Sequence, residues 1–240
     1  MNTLDPGILA EEVALQSQDG HAYTLIARIP ATPSSALLWV PALGVAARHY
    51  LPVAEALAAR GVAVFVHEWR GNGSSALRAN RRTDWGYRDL LGTDLPLSHA
   101  AVQNRLPDVP HRIGGHSLGG QLAACHAGQD PDAFTALWLV GSGTPYWRTY
   151  PAPRGYALPF FYQFAPWLAR ACGALPGRRL GFGGDEARGL ILDWARVGLS
   201  GRYRAAGWPV DLEAGMRAVH APVRGVLFDD DWLAPERSLR

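Results

Sequence analysis

The chain has 240 residues, of which 48% are hydrophobic and 18% are charged, with nine tryptophans and a formal net charge of +2. This composition predicts a globular protein of one large domain, or one domain with an insertion, and excludes a disordered or fibrous protein. The small net charge argues against nucleic acid as a partner. All 23 basic residues are arginines, so a lysine nucleophile, a Schiff base and a P-loop lysine are excluded.

The cysteines and the N-terminal segment bear on cellular location. Cys125 and Cys172 are too isolated for a disulfide framework or a zinc site, and both are expected to be small buried side chains. The first 16 residues show no signal-peptide pattern, and no window approaches the roughly 20 apolar residues of a membrane span. These features predict a cytoplasmic protein and argue against a membrane protein.

Strand-like and helix-like segments alternate along the first half of the chain. Strands are predicted at residues 25–30, 36–41, 62–69, 111–115 and 134–142, and helices at residues 50–60, about 84–105 and 117–128. Gly61 is expected to end the first helix. The alternation predicts an α/β fold, with a mainly parallel sheet flanked by helices.

The composition changes after Gly143. Residues 145–208 are rich in aromatic residues and proline and contain no clear strand, whereas a strand pattern returns in "APVRGVLF" at residues 221–228. The segment is therefore predicted to be a helical cap inserted between two successive strands. The core would then comprise residues 1–144 and 209–240.

A G-x-S-x-G pattern lies between a predicted strand and a predicted helix, in "GGHSLGGQ" at residues 114–121. In such a turn the hydroxyl of Ser117 is lifted clear of the sheet, and the flanking glycines leave room for the chain to pass. The N–H of Leu118 would lie at the helix N-terminus, where it can stabilise the oxyanion that forms when Ser117 attacks a carbonyl. A structural Gly/Ser turn is the alternative, but the strand before the pattern and the helix after it favour a nucleophile.

Several segments together resemble those of the α/β-hydrolase superfamily, and more narrowly those of an uncharacterised bacterial group within it. They are "PALGVAARHY" at 41–50, "RGNGSS" at 70–75, "DWGYRDL" at 84–90, the serine motif, and "GSGTPYW" at 141–147. The resemblance covers residues from about 40 to 235. It implies an α/β-hydrolase fold, while the motifs say little about the substrate.

The resemblance also implies a second oxyanion donor in the loop after the third strand. Many relatives carry His-Gly there, and this chain has Pro-Ala at residues 41–42, so the N–H of Leu43 is the expected donor, with Gly44 as the alternative. The "RGNGSS" turn is interpreted as structural. Glu68 is expected to anchor a loop.

The catalytic acid of this superfamily follows a late strand. "FDDDWLAP" matches the usual context, with Phe228 in place of a glycine and Asp231 in place of the acid. Asp229 and Asp230 are then turn and cap residues, and at least one of the three carboxylates is expected to face solvent, since buried neighbours would raise one another's pKa. The alternatives are a solvated acidic turn or a divalent-cation site, but a cation would need further oxygen ligands.

The triad also needs a histidine after the acid. No histidine follows His220, and His220 itself precedes the strand that leads to Asp231. His116, inside the serine motif, is expected to pack or to form hydrogen bonds, and His49 is the only other histidine expected near the rim of the site. The triad histidine is therefore predicted to be missing.

Two explanations for the missing histidine stay open: a shortened hydrolase, or a natural protein without the base. The residues "APERSLR" favour the first, because Pro235 and Glu236 suit a helix start and too few residues follow to hold a helix. The strand "VRGVLF" would also be left as an exposed apolar edge, through which a homodimer could form.

The sequence thus predicts a serine hydrolase lineage that acts on a small ester or other acyl substrate without metal or cofactor, with little or no turnover by this chain. Tyr146, Trp147, Phe160, Phe161 and Trp167 imply an apolar pocket, although most of these rings are expected to pack inside the cap. The alternative function is a non-catalytic binding or scaffold protein. A membrane-surface lipase, resting on lipid through "LPFFYQFAPWLARACG", ranks third.

Overall fold

A seven-stranded sheet forms the centre of the structure, a computed structural model that describes residues 7–239. The strands are β1 (Ile8–Gln16), β2 (Ala22–Pro30), β3 (Ser35–Val40), β4 (Val62–Val66), β5 (His111–His116), β6 (Ala136–Val140), β7 (Leu175–Pro176), β8 (Asp185–Glu186) and β9 (Val223–Val226). The helices are α1 (Leu51–Ala58), α2 (Tyr87–Asp89), α3 (Leu95–Arg105), α4 (Leu118–Ala127), α5 (Arg154–Cys172), α6 (Gly177–Leu180), α7 (Arg188–Ser200), α8 (Leu212–Ala218) and α9 (Glu236–Leu239). A π-helical turn, Leu90–Asp94, joins α2 to α3.

The sheet has the strand order β1-β2-β4-β3-β5-β6-β9. β1 and β2 are antiparallel to their neighbours, and the other five strands run parallel to one another. β3 and β4 are buried along their whole length, as strands covered on both faces should be. The predicted α/β fold, with a mainly parallel sheet flanked by helices, is confirmed.

The first strand was not predicted from the sequence. β1 pairs with β2 along its full length, from Ile8 opposite Pro30 to Gln16 opposite Ala22. Its residues alternate between half-buried and exposed, but Glu11 and Glu12 stand side by side and interrupt the apolar period. The outer position of β1 in the sheet explains why its apolar pattern is weak.

Buried ionic contacts hold the turn after β4. The guanidinium of Arg70 donates to both carboxylate oxygens of Asp94, at 2.6 and 2.8 Å, and to Asp19 at 2.6 Å. Burial raises the pKa of Asp94, but the Arg70 hydrogen bonds more than offset this, so the net pKa is lowered. The arginine of "RGNGSS" is therefore part of the interior.

The segment between β6 and α8 folds over the carboxyl end of the sheet, with α5 packed against α7. The two helices approach so closely that a Cβ on Gly198 would overlap the ring of Tyr162. β7 and β8 form a two-residue antiparallel pair in this segment, so the prediction that it contains no strand is wrong. Cys125 is buried as expected, but Cys172, at the end of α5, is exposed, so that expectation is wrong for Cys172.

β9 is the outermost described strand on its side of the sheet. It pairs with β6, from Leu137 opposite Val223 to Val140 opposite Val226, and all four of its residues are exposed. α9 follows nearby, and Ser238 O accepts the Thr144 N–H at 2.7 Å. Within residues 7–239, no helix is both long enough and apolar enough to cross a membrane.

Candidate active site

Ser117 occupies the sharp turn between β5 and α4. Its φ and ψ are 54° and −126°, and it is the one non-glycine residue with positive φ among residues 7–239. Such a conformation costs of the order of 1–3 kcal/mol and persists only where surrounding contacts impose it. Here Ser117 N donates to Val140 O at 3.0 Å, and Ser142 Oγ donates to Ser117 O at 2.6 Å. The end of β6 therefore holds the strained turn in place.

The two glycines of the motif are required by close packing. A Cβ on Gly119 would overlap the carbonyl oxygens of Val40 and Pro41, and a Cβ on Gly115 would overlap the backbone of Gly119 itself. Neither residue has positive φ. Both glycines therefore let the start of α4 lie directly against the end of β3, which brings Ser117 beside the loop that follows β3.

Ser117 lies on the wall of a cavity of about 530 Å³ between the sheet and the cap. The cavity is lined from the core by Ala42, Leu43, His116, Leu118, Gln121, Gly141 and Asp231, and from the cap by Leu158, Phe161, Tyr162, Phe182 and Trp194 among others. All four predicted site residues, Ser117, Asp231, Leu43 and Leu118, are thus brought to one cavity. Among the described residues, Ser117 Oγ has no hydrogen-bond partner.

The two predicted oxyanion donors lie on the same wall. Leu118 is the first residue of α4, so its N–H is one of those that a helix cannot satisfy internally. Leu43 lies in the loop after β3, and the neighbouring Gly44 has φ of +74° and touches the backbone of Gly184 from the cap. A side chain at residue 44 would displace this cap loop.

Glu68 and Trp69, which follow β4, hold the loop after β3 in place through hydrogen bonds. Glu68 accepts the Ala47 N–H at 3.1 Å and the Ser74 N–H at 3.2 Å, and Trp69 Nε1 donates to Pro41 O at 2.9 Å. Burial raises the pKa of Glu68, and these backbone hydrogen bonds oppose that shift. The contacts make Glu68 an anchor between two loops.

Asp231 is the half-buried member of the acidic run. Its Oδ1 accepts the N–H groups of Leu233 and Ala234, at 2.8 and 3.3 Å, whereas Asp229 and Asp230 are exposed. Its Oδ2 lies on the other side, 3.3 Å from where a Cβ of Gly141 would be. One oxygen therefore stabilises the turn, and the other lies beside Gly141, which also lines the cavity. In residues 7–239, no group of three or more His, Cys, Asp or Glu side chains is arranged to hold a metal ion.

His116 lies between the acid and the loop after β3. Its Nδ1 is 2.8 Å from Tyr50 Oη, which accepts the Ala42 N–H at 2.9 Å, so we assign the Tyr50 hydrogen to Nδ1. The ring proton of neutral His116 is then on Nε2, which lies 3.4 Å from the Cβ position of Gly141. Burial lowers the pKa of His116, and Asp231 opposes this shift. Because its Nδ1 accepts from Tyr50 Oη, His116 forms part of a hydrogen-bonded chain that includes Tyr50 and the Ala42 N–H.

The other histidines named from the sequence lie elsewhere. His49 and His220 are exposed and do not line the cavity. Within the described residues, no histidine nitrogen is hydrogen-bonded to Ser117 Oγ or to Asp231. The sequence analysis also missed Tyr50 and Trp194, because nothing in their local pattern separates them from core aromatics.

The cap aromatics divide into two sets. Phe161 lines the cavity and contacts Phe182 and Trp194, with ring centroids 5.5 and 6.2 Å apart. Phe160 and Trp167 are 75% and 61% exposed, so the expectation that such rings pack inside the cap is wrong for both.

The sheet, the strained serine and the cavity define an α/β-hydrolase. The family model described as "Serine aminopeptidase, S33" matches residues 31–180. This is more than half of the chain, and the chain therefore belongs to this α/β-hydrolase family.

Solved structures support the fold. The chain is similar to a thermostable carboxyl esterase from Bacillus coagulans, with 15% identity, TM-score 0.60, and coverage of 90% of this chain and 89% of that one. It is also similar to a hydrolase from Pseudomonas aeruginosa PA01, with 15% identity, TM-score 0.57, and coverage of 95% and 84%. The chain spans only 50% of the length of an Acinetobacter baumannii AYE protein, with 22% identity, TM-score 0.50, and coverage of 67% of this chain. A comparison with curated protein sequences found no match.

Proposed function

We propose that the chain is a serine acyl hydrolase with Ser117 as nucleophile, Asp231 as the acid, and the Leu43 and Leu118 N–H groups as oxyanion donors. The observation that carries the proposal is the strained φ of Ser117 on the wall of a cavity that Asp231 also reaches. Strain of this kind is retained at functional sites, because it presents the hydroxyl away from the backbone.

The reaction follows from these positions. Ser117 Oγ would attack the acyl carbonyl as its proton passes to a base that the described contacts of Ser117 do not supply, and the two N–H groups would stabilise the negative oxygen of the tetrahedral intermediate. The intermediate would then release the alcohol, which takes that proton, and water would hydrolyse the resulting acyl-enzyme to free the acid and restore Ser117. Asp231 would orient such a base and stabilise its protonated form. No described histidine contacts Ser117 Oγ, so we expect weak or no turnover by the 240-residue chain. The chemistry requires neither metal nor cofactor.

The substrate we propose is a small ester or other acyl compound with an apolar part. Leu43, Leu158, Phe161 and Trp194 supply apolar walls to a cavity whose volume of about 530 Å³ suits a small molecule. The similar Bacillus coagulans structure is described as a carboxyl esterase, which favours an ester. A peptide substrate would need a chain of polar backbone groups to be matched along these walls.

A fluorophosphonate probe tests the nucleophile. We expect slow, Ser117-dependent labelling of the 240-residue chain, no labelling of Ser117→Ala, and faster labelling when imidazole is added as an external base. Ser34→Ala is the matched control, because Ser34 is exposed and does not line the cavity, so this variant should be labelled like the wild-type chain. Labelling that survives in Ser117→Ala contradicts the assignment. Rapid ester turnover without imidazole contradicts the proposed weakness of this chain.

The second candidate is a binding or scaffold protein with a hydrolase fold. The observation in its favour is that no described histidine contacts Ser117 Oγ or Asp231. Trp194 lines the cavity and reports occupancy through its fluorescence. Saturable binding of a non-hydrolysable acyl ester analogue, equal in the wild-type chain and Ser117→Ala, with no probe labelling of either, would favour this candidate.

Three further assignments accompany the proposal. The cap comprises residues 145–208 on a core of residues 1–144 and 209–240, the protein is cytoplasmic, and two copies pair through the exposed edge of β9. The exposure of all four β9 residues supports the pairing. A monomeric mass by light scattering at 0.1 mM would contradict it.

A further inference from the structure

Four exposed aromatic side chains form a stripe along α5. Tyr156, Phe160, Phe164 and Trp167 are 67%, 75%, 48% and 61% exposed. They are spaced by four, four and three residues, so at 100° per residue they lie within an arc of about 80° on one side of the helix. Below, these four residues are called the aromatic stripe. Scattered exposed apolar residues are common, but a contiguous line of four large rings indicates an interaction surface.

The opposite side of α5 faces the interior. Tyr162, Ala165 and Ala169 are buried there, and Leu158 and Phe161 line the cavity. Both sides of α5 therefore carry apolar side chains, but only one side is covered by the rest of the protein. The aromatic stripe contributes little to the packing of the cap, apart from a contact between the rings of Tyr156 and Trp147, whose centroids are 6.3 Å apart.

The charged residues around the stripe are mainly arginines, although one of them, Arg178, pairs with the exposed Asp185 at 4.0 Å. Residues 133–184 contain five arginines and no Asp or Glu. All five are exposed: Arg148, Arg154, Arg170, Arg178 and Arg179. Arg81 lies at the far end of the same helix, where its guanidinium donates to Ala171 O at 2.5 Å. An apolar ridge flanked by cations therefore runs along the cap, on a protein whose net charge is only +2.

We propose that the aromatic stripe docks on an anionic phospholipid surface. The rings enter the boundary between headgroups and acyl chains, and the flanking arginines pair with lipid phosphates, which is the arrangement of interfacial amphipathic helices. α5 lies in the plane of the surface and does not cross it, because Pro159 and Pro166 interrupt its backbone hydrogen bonds and no described helix is able to span. This surface is distinct from the proposed catalytic residues and does not depend on them.

The charges around the stripe favour a lipid surface, rather than a second copy of the chain, as the partner of the stripe. In a two-fold contact the stripe of one copy would meet the stripe of the other, so that both sets of arginines, which outnumber the nearby acid Asp185, would be brought together. Like charges directly opposed disfavour such a contact. An anionic bilayer complements both the rings and the arginines.

Vesicle co-sedimentation of the whole chain tests the proposal. We expect binding to vesicles of three parts phosphatidylcholine and one part phosphatidylglycerol, little binding to pure phosphatidylcholine, and weaker binding in 0.5 M NaCl. The double variant Phe160→Ser/Trp167→Ser should bind about tenfold or more weakly, because two large rings leave the interface. Arg170→Gln/Arg179→Gln should lose affinity only for the anionic vesicles. Val53→Ser, which changes a 48% exposed side chain on α1, is the matched control and should bind like the wild-type chain.

Circular dichroism verifies that each variant is folded. Failure of the folded wild-type chain to bind anionic vesicles would overturn the proposal, as would equal binding by the wild-type chain and the stripe double variant. If the stripe double variant instead abolishes self-association in light scattering, and neither form binds vesicles, the stripe is a contact between two copies and the lipid proposal is wrong.

Discussion

The hydroxyl of Tyr50 lies 2.8 Å from His116 Nδ1 and also accepts the Ala42 N–H at 2.9 Å. One side chain on the turn before α1 thereby ties the loop after β3 to the residue that precedes Ser117. The loop after β3 and the turn at Ser117 are consequently held at a fixed separation.

Tyr50→Phe should loosen this connection. The substitution leaves the buried Ala42 N–H without its acceptor, which costs about 1–3 kcal/mol in the free energy of unfolding. Fluorophosphonate labelling of Ser117 should also slow, because the Leu43 N–H is next to the freed residue. Urea unfolding and labelling rates measure the two effects. Tyr156→Phe, on an exposed ring, is the control, and equal stability of Tyr50→Phe and the wild-type chain would show that the bond is not stabilising.

Gly119→Ala should destabilise the protein by about 3 kcal/mol or more. The added methyl group overlaps the Val40 and Pro41 carbonyl oxygens, so either α4 or β3 must move. Gly92→Ala is the matched control, because it also lies in a helical turn but its Cβ meets only the Trp208 ring at 3.5 Å or more. That variant should be neutral or slightly stabilising. Urea unfolding of the pair gives the difference, and similar losses in both variants would contradict the steric explanation.

Mild acid should weaken the fold through buried histidines. Burial lowers the pKa of His67 and His99 to about 4 and that of His126 to about 3, against an ordinary value of 6.5. The unfolded chain binds these protons first, so the stabilising effect is complete above pH 6.5 and falls as pH decreases toward 4, by roughly 1.4 kcal/mol per pH unit for each histidine. The urea midpoint should therefore fall steeply from pH 6.5 to 4.5.

His126→Leu isolates one part of that effect. Neither ring nitrogen of His126 has a hydrogen-bond partner within the described residues, so the substitution leaves no polar group stranded. The variant should lose less stability than the wild-type chain between pH 6.5 and 4.5. His220→Asn, at an exposed position, should follow the wild-type curve. A His126→Leu curve parallel to the wild-type curve would exclude His126 from the acid response.

The ionisation of Glu186 should change the stability of the protein with pH in the opposite direction. Burial raises its pKa from 4.5 to about 7, and the Gly184 N–H, 2.7 Å from Oε1, opposes the shift. Because the folded state keeps a proton that the unfolded state releases, its stabilising effect is complete below pH 4.5 and is lost as pH rises through 7.

Glu186→Gln keeps the acceptor oxygen and removes the charge. Relative to the wild-type chain, it should gain about 2 kcal/mol of unfolding free energy between pH 5 and pH 8. Asp230→Asn, at an exposed carboxylate, should gain nothing over the same range. Urea unfolding at the two pH values makes the comparison, and an equal difference for Glu186→Gln and Asp230→Asn would contradict the assignment.

The central sheet was predictable because β3, β4 and β6 are short apolar runs bounded by glycine or proline. The serine turn was predictable because the G-x-S-x-G pattern stands between an apolar strand and a helix, which is the context that the pattern requires. β1 was missed because, in an outer strand, the half-buried Glu11 stands beside the exposed Glu12 and interrupts the apolar period. The link from Tyr50 to His116 joins residues 66 positions apart, and local patterns carry no information about such a contact.

The sequence also could not show which of the cap aromatics are buried and which face solvent. Phe160 and Phe161 are adjacent and chemically identical, yet one faces solvent and the other lines the cavity. The sequence contains both rings, but only the packing of α5 on α7 decides which of them is covered.

The placement of these two rings limits how the length of α5 can change. Inserting or deleting one residue before Phe160 would rotate the rest of the helix by about 100° relative to its start. Cavity-lining rings would then turn toward solvent, while members of the exposed stripe would press into α7. One side of α5 packs against the rest of the protein and the other carries the aromatic stripe. Single substitutions on α5 should therefore be tolerated better than a one-residue insertion or deletion between its ends.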